Sequence, residues 1–275
     1  MSGADQLLAR IADALERLAP APAAPDDWLA HLAYIWDSDG ARAVAEFQAP
    51  PLDLLRGIDA QKAVVTENVT RLAAGQAAHD MLLWGSRGMG KSALLRSAIL
   101  AVQADDPASV ALVQIAPDAL ASLAALFSAL RGVQRQFLVF IDDLGFEDGD
   151  SSGPRALRSW LEGGVEARPG NVRIAVTSNR RAIVARHLSE QDDPINPRDA
   201  VDDRLALADR FGLSIGFHNC SQDDYLAIIS GYAESHGFDW DQAEALEWSR
   251  RRGARSGRVA WQFVTELAGR AGVAL

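Results

Sequence analysis

Lysine is almost missing from this chain of 275 residues: of 27 basic side chains, only Lys62 and Lys91 are lysines, and the rest are arginines. A motif that requires lysine therefore has two places to be. Cysteine is scarcer still. Cys220 stands alone, which excludes an internal disulfide, fits a reducing compartment, and reads as a small buried hydrophobe. No apolar run approaches the roughly 20 residues a membrane span requires, and the opening MSGADQLLARIADALERL lacks a basic-then-apolar leader layout. The expectation is a cytoplasmic protein with no membrane partner. His31, His79, His187, His218 and His236 are scattered without metal-ligand spacing, so no zinc site is expected. The net charge of -10 argues against a wide basic face for duplex DNA, while a narrow basic channel stays open.

What is present is enough apolar material for a core, 48% of the chain, at a length suited to one large α/β domain with a small appendage. Leu7 to Leu18 have helical spacing, and the Ala/Pro-rich stretch Ala19 to Pro25 reads as a linker. Trp28 to Phe47 is a second N-terminal segment with apolar residues that must pack, ended by Pro50 and Pro51. Residues 1–50 are accordingly expected to be a helical extension. Strands are expected at Met81–Trp84, Val110–Ile115, Phe137–Ile141, Val172–Thr177 and Gly212–Phe217, with helices at Lys91–Ala104, Ala119–Leu130 and Pro154–Leu161. That alternation implies a parallel sheet covered on both faces, with ligands at the carboxyl ends of its strands. Arg186 to Asp203 reads as a long polar loop. After Phe217 the pattern is wholly helical: a helix capped by Ser221 through Ala233, then Trp240–Arg251 and Val259–Ala268. The expected domains are 51–218, α/β, and 219–275, a helical lid.

Gly85-Ser86-Arg87-Gly88-Met89-Gly90-Lys91-Ser92 fits G-x-x-x-x-G-K-[ST], after a strand and opening a helix. Its glycines let backbone N–H groups approach phosphate oxygens, and the following helix, continuing through Ala93, adds its positive end. Lys91 is placed to bridge the β- and γ-phosphates of ATP and Ser92 to ligate Mg²⁺. The alternative, an ordinary glycine turn, does not explain the lysine.

Phe137 to Ile141 run straight into Asp142 and Asp143. Asp142 is the candidate to hold Mg²⁺, and Asp143 the candidate to polarise the attacking water, with Glu147 as its substitute. A solvated turn is the plainer reading of Glu147-Asp148-Gly149-Asp150. Asn179, just past the fourth strand, is the candidate to orient water or touch the γ-phosphate. Arg210, with Arg204 second, precedes the fifth strand at the sheet's rim, where it can reach a neighbouring subunit's γ-phosphate. An ion pair with Asp209 or Asp203 is the alternative. Arg250, Arg251 and Arg252 are either a solvated helix end or a patch for nucleic-acid phosphate. Arg258 opens the last helix and is placed to reach back over the nucleotide.

With these motifs in order the chain resembles the AAA+ superfamily, and within it a bacterial family known as domain of unknown function 815. The carrying stretches are Leu55 to Lys62, Leu83 to Ser92, Asp142 to Glu147, Thr177 to Arg181, Leu207 to Leu213 and Gly216 to Leu226. The resemblance implies a P-loop NTPase with a parallel five-stranded sheet in order 5-1-4-3-2 and a small helical lid. It implies Walker A at Gly85–Ser92, Walker B at Asp142 and Asp143, and sensor 1 at Asn179. It further implies an arginine finger at Arg210, a lid arginine at Arg258, and Gly57 and Ile58 near the adenine. Asp143 departs from the glutamate usual at its position and is one methylene shorter, which bears on hydrolysis rather than binding.

Two functions remain from the residues: an oligomeric ATPase that remodels or loads a protein or nucleic-acid partner, and a weakly hydrolysing ATP-dependent switch or binding module. A GTPase is disfavoured because neither lysine follows an asparagine, as a guanine-reading Asn-Lys-x-Asp would require.

Overall fold

The computed structural model describes residues 27–144, 157, 160, 161, 167–179 and 209–275. His31–Leu275 form one compact unit and Met1–Ala30 another, whose described part is a turn at 28–30. The larger unit opens with a hairpin of β1 (Ala33–Asp37) and β2 (Gly40–Ala43). There follow α1 (Asp59–Ala73), β3 (Met81–Gly85), α2 (Lys91–Asp105), β4 (Val110–Ile115) and α3 (Leu123–Leu130). Next come β5 (Gln136–Ile141), β6 (Val172–Ser178) and β7 (Leu213–Phe217), and the described chain ends in α4 (Gln222–His236), α5 (Gln242–Arg251) and α6 (Gly257–Ala271).

One sheet contains all seven strands, in order β2-β1-β4-β5-β6-β3-β7, parallel except for the β1–β2 pair. Residues 33–43, expected within a helical extension, therefore form a β-hairpin, and the sheet has seven strands where the resemblance implies five. The reason is local. Ala33-Tyr34-Ile35-Trp36 is a β-branched and aromatic run, and Ser38-Asp39 turns it back: the Asp39 N–H donates to the Asp37 carboxylate at 2.9 Å, and Gly40 takes φ +116°. Trp36 Nε1 donates to Ser122 Oγ at 2.8 Å, fixing the hairpin to the turn before α3. That turn, Pro117–Ser122, is a 3₁₀ segment, so the helix expected from Ala119 is α-helical only from Leu123. The helix at Leu7–Leu18, the linker after it and the loop at 186–203 lie outside the described residues. Of the helix at Pro154–Leu161, only Leu157, Trp160 and Leu161 are described, and they are helical.

The middle strands explain the fold energetically. Phe137, Leu138, Val139, Phe140 and Ile141 are all buried, as a strand must be when both faces of a parallel sheet are covered. Each large side chain so buried contributes about 1.5–3 kcal/mol. Leu94, Leu95, Ala98 and Ile99 of α2 and Val65, Val69 and Leu72 of α1 supply cover, and α1 packs on α2. The sequence had not marked α1. Its β-branched residues are indifferent helix formers, and Asn68 interrupts its apolar stripe. Asn68 is buried for a purpose, since its amide exchanges two 2.9 Å hydrogen bonds with the backbone of His79. Among the described residues no helix is long and apolar enough to cross a membrane.

In the C-terminal trio, α6 packs on α4 and α5. Ser221 and Asp224 form a capping box at the start of α4, Asp241 caps α5, and Ser256 caps α6. Buried Tyr225 donates to the Ala245 carbonyl at 3.1 Å, tying α4 to α5.

At the amino edge of the sheet, Asp80 accepts from Arg168 Nη1 at 2.8 Å on both carboxylate oxygens and from the Ile174 N–H at 2.7 Å. Removing this carboxylate leaves a largely buried guanidinium without its partner. Asp80→Ala is expected to cost about 2–3 kcal/mol, slightly less than a fully buried pair because both groups keep some solvent. Chemical denaturation of the two chains measures it.

Candidate functional site

Strand β3 ends at Gly85, and the chain leaves it by a path only glycine permits. Gly85 has φ +120°, and a Cβ there would lie 2.1 Å from the Phe217 carbonyl oxygen of β7. The Ser86 N–H donates to that same oxygen at 2.9 Å. Gly88 and Gly90 also take positive φ, +74° and +85°, so the loop curls and delivers Gly90 as the N-cap of α2 without a capping side chain. The first-turn N–H groups are thus left for an external anion.

Lys91 folds back into this curl and is buried. Its Nζ donates to the carbonyls of Gly85 (2.9 Å) and Ser86 (2.8 Å) and to Asn179 Oδ1 (3.0 Å), using all three of its protons. Burial pushes its pKa below the usual 10.5, helped by Arg258 and Arg87 and opposed by Asp143 and Asp142. Ser92 Oγ donates to Asp142 Oδ1 at 2.6 Å. Thr177 Oγ1 donates to the same oxygen at 2.6 Å. Asp143 takes φ +52° and receives Asn179 Nδ2 on Oδ1, with Arg87 Nη2 3.8 Å from its Oδ2. Asn179 therefore links the lysine to the second carboxylate.

These groups line one cleft of about 450 Å³ at the carboxyl edge of the sheet. Gly88, Met89, Gly90, Lys91, Ser92, Ala93, Asp142, Asp143, Asn179 and Arg258 all contribute to its wall. Gly85, Ser86 and Arg87 do not; the first two shape the loop by leaning on β7. Ile58 lines the cleft but Gly57 does not. Gly57 is instead a close-approach residue: at φ +75° its missing Cβ would sit 2.9 Å from Asp224 Oδ1 of the α4 capping box.

The C-terminal helices close one side. The Arg258 N–H donates to the Gly88 carbonyl at 3.2 Å, so α6 begins directly on the loop. A Cβ on Gly88 would meet Ser256 Oγ at 2.9 Å, and one on Gly257 would meet the Gly88 oxygen at 3.1 Å. Farther along, Leu54, Leu55, Ile58, Ile228, Tyr232 and Trp261 form an apolar and aromatic wall, with the Tyr232 and Trp261 rings 4.8 Å apart. Apart from Ile58, sequence reasoning missed this wall, as it missed Thr177. Its members come from three separate segments and carry no joint signal until the chain folds.

Arg210 is exposed in the turn before β7. Because Leu213 pairs with Met81 at the beginning of β3, Arg210 stands at the amino edge, and it does not line the cleft. Arg204 and Glu147 lie outside the described residues. In the basic cluster, Arg250 and Arg251 both pair with Glu247, and Arg252 lies 3.9 Å over the Trp248 ring. No group of three or more His, Cys, Asp or Glu is gathered for a metal among the described residues. A divalent ion here would complete its shell with phosphate and water oxygens around Ser92 and Asp142.

The family model described as "Protein of unknown function (DUF815)" matches residues 29–271. Among solved structures, the Thermotoga maritima RuvB Holliday junction branch migration motor has a TM-score of 0.53 and 16% identity, over 83% of this chain and 68% of that one. The Aeropyrum pernix ORC1 protein in complex with DNA has a TM-score of 0.55 and 17% identity, over 80% and 62%. These likenesses are of fold: both structures share the α/β architecture described above. Among curated proteins nothing matches.

Gly88→Ala tests the seam between loop and α6. The positive φ and the contact with Ser256 are expected to cost about 1–3 kcal/mol and to loosen the start of α6, read by amide exchange at residues 256–260.

Proposed function

The chain belongs to the family described as Protein of unknown function (DUF815), and from that membership and its cleft we propose that it is an AAA+ ATPase. It binds ATP, hydrolyses it with Mg²⁺ as a cytoplasmic homo-oligomer, and couples the cycle to remodelling or loading a protein or nucleic-acid client. The observation that carries this reading is the convergence of Lys91, Ser92, Asp142, Asp143, Asn179 and Arg258 on one cleft, with Arg210 at the other edge of the sheet.

The residues fit a Mg-nucleotide. The glycine curl and the uncapped start of α2 suit phosphate oxygens, and the cleft volume falls within the range of about 300–1,000 Å³ common for ligand pockets. The apolar wall around Ile58, Ile228 and Tyr232 suits a base. Lys91 neutralises the phosphates, Ser92 and Asp142 hold the metal shell, and the Asp143 carboxylate takes a proton from water while Asn179 orients it. The bound Mg²⁺ supplies charge neutralisation at the reacting phosphates. Arg258 adds positive charge from the C-terminal helices, acting as a lid. Arg210 lies too far round the sheet to act within its own chain and is assigned to a neighbour's nucleotide.

A second reading, a weakly hydrolysing switch, draws on one observation. Asp143 is a shorter acid than glutamate, and its carboxylate is engaged by Asn179.

Mg-ATP turnover measured across protein concentrations separates the two. In the motor, specific activity rises with concentration, Lys91→Ala abolishes binding and turnover, and Arg210→Ala binds ATP yet loses about 10³-fold in rate. Tight binding without turnover at any concentration makes the switch the correct description. A pH series adds a second check. Lys91 is charged below its pKa, which burial has lowered, so ATP affinity is expected to fall on the alkaline side before an ordinary lysine at 10.5 would titrate.

A further inference from the structure

Adjacent residues of a strand point to opposite faces, yet Asp142 and Asp143 both line the same cleft. The chain achieves this by leaving β geometry at Asp143, whose φ of +52° is a left-handed conformation that a residue with a Cβ adopts only at some cost. Something must hold it there. The Asp143 N–H donates to Thr177 Oγ1 at 2.8 Å, while the same hydroxyl donates to Asp142 Oδ1 at 2.6 Å. The next residue is held as well, since the Leu144 N–H donates to the Thr177 carbonyl at 2.9 Å. One residue of β6 thus fixes three consecutive residues beyond β5, immediately after the last paired register, Ile141 with Val176.

The direction of these bonds matters. An ionised Asp142 can only accept, so the Thr177 proton must point at it, which leaves the hydroxyl lone pairs facing the Asp143 N–H. Thr177 is 2% exposed, and a buried hydroxyl is costly without partners. Valine has the same shape and is equally at home in a central strand, so strand packing alone does not call for the hydroxyl.

We propose that Thr177 is a positioning residue for nucleotide chemistry: its hydroxyl aims Asp142 at Ser92 and the metal shell, and turns Asp143 into the cleft. The inference rests on the reading of the cleft as a Mg-ATP site. It assigns to one side chain the coupling between the metal-holding and water-activating carboxylates.

The test compares the full chain with Thr177→Val, Thr177→Ala and Thr177→Ser. Three quantities are read: thermal midpoint, affinity for a fluorescent ATP analogue with Mg²⁺ and with EDTA, and kcat and KM for Mg-ATP. Losing the hydroxyl is expected to leave affinity in EDTA within about twofold and to shrink the gain that Mg²⁺ confers, because Asp142 is no longer aimed. It should lower kcat about 10- to 100-fold with KM changed less, and Thr177→Ser should restore both properties to within about threefold. Thr177→Ala repeats the measurement should the valine chain not fold. The proposal is overturned if the hydroxyl-free chains keep the parent's Mg²⁺ gain and kcat. It is equally overturned if Thr177→Ser fails as Thr177→Val does, since the methyl packing is then what matters. If the parent binds Mg-ATP but does not turn it over, the hydrolytic reading fails alone, and the Mg²⁺ dependence of affinity still decides for or against Thr177. If the parent binds no nucleotide, both fall.

Discussion

Parallel pairing is the constraint from which the rest follows. When β4, β5, β6, β3 and β7 run the same way, every strand releases its following segment at one edge, and whatever those segments carry is brought together. Lys91 after β3, Asp142 and Asp143 after β5, and Asn179 after β6 come from positions up to 88 residues apart and end within hydrogen-bonding reach. The same pairing puts Arg210, which precedes a strand, at the opposite edge. The separation of these two sets of charged groups is a property of strand direction before it is a property of any side chain.

Electrostatics then shape the edge. A chain of net charge -10 lines its cleft, among the described residues, with Lys91, Arg56, Arg96 and Arg258 against Asp142 and Asp143. Among these described groups the balance is opposite in sign to that of the whole chain, which would favour an anion. Burial of Lys91 among carbonyls adds to this. Among the described residues the ammonium is held by two backbone carbonyls and the Asn179 amide oxygen rather than by a salt bridge, so an incoming anion would break no ion pair with them.

The sequence was most legible where a pattern is contiguous. The Gly85–Ser92 loop, the acidic pair after β5 and the expected strands, which differ from those observed by at most one residue at an end, could be read because each is a local pattern. The β1–β2 hairpin was not read: its strands are four and five residues long, and only the Asp39-Gly40 turn announces it. Helix α1 escaped because Asn68 and the β-branched residues blur its period. The contacts of Gly57 and Thr177 were invisible for another reason. Each depends on what lies across from it, Asp224 in one case and Asp142 with Asp143 in the other, and no window of sequence contains both halves.

The seam between Gly88 and residues 256–258 bears on how such a chain can vary. Two stretches separated by about 170 positions meet there backbone to backbone, with no side chain on Gly88 or Gly257 to absorb a change of spacing. A chimera that takes its C-terminal helices from one relative and its Gly85–Ser92 loop from another inherits two halves of a contact fitted elsewhere. The unit that can be exchanged intact is the loop together with the helices that rest on it, even though the chain presents them as far apart.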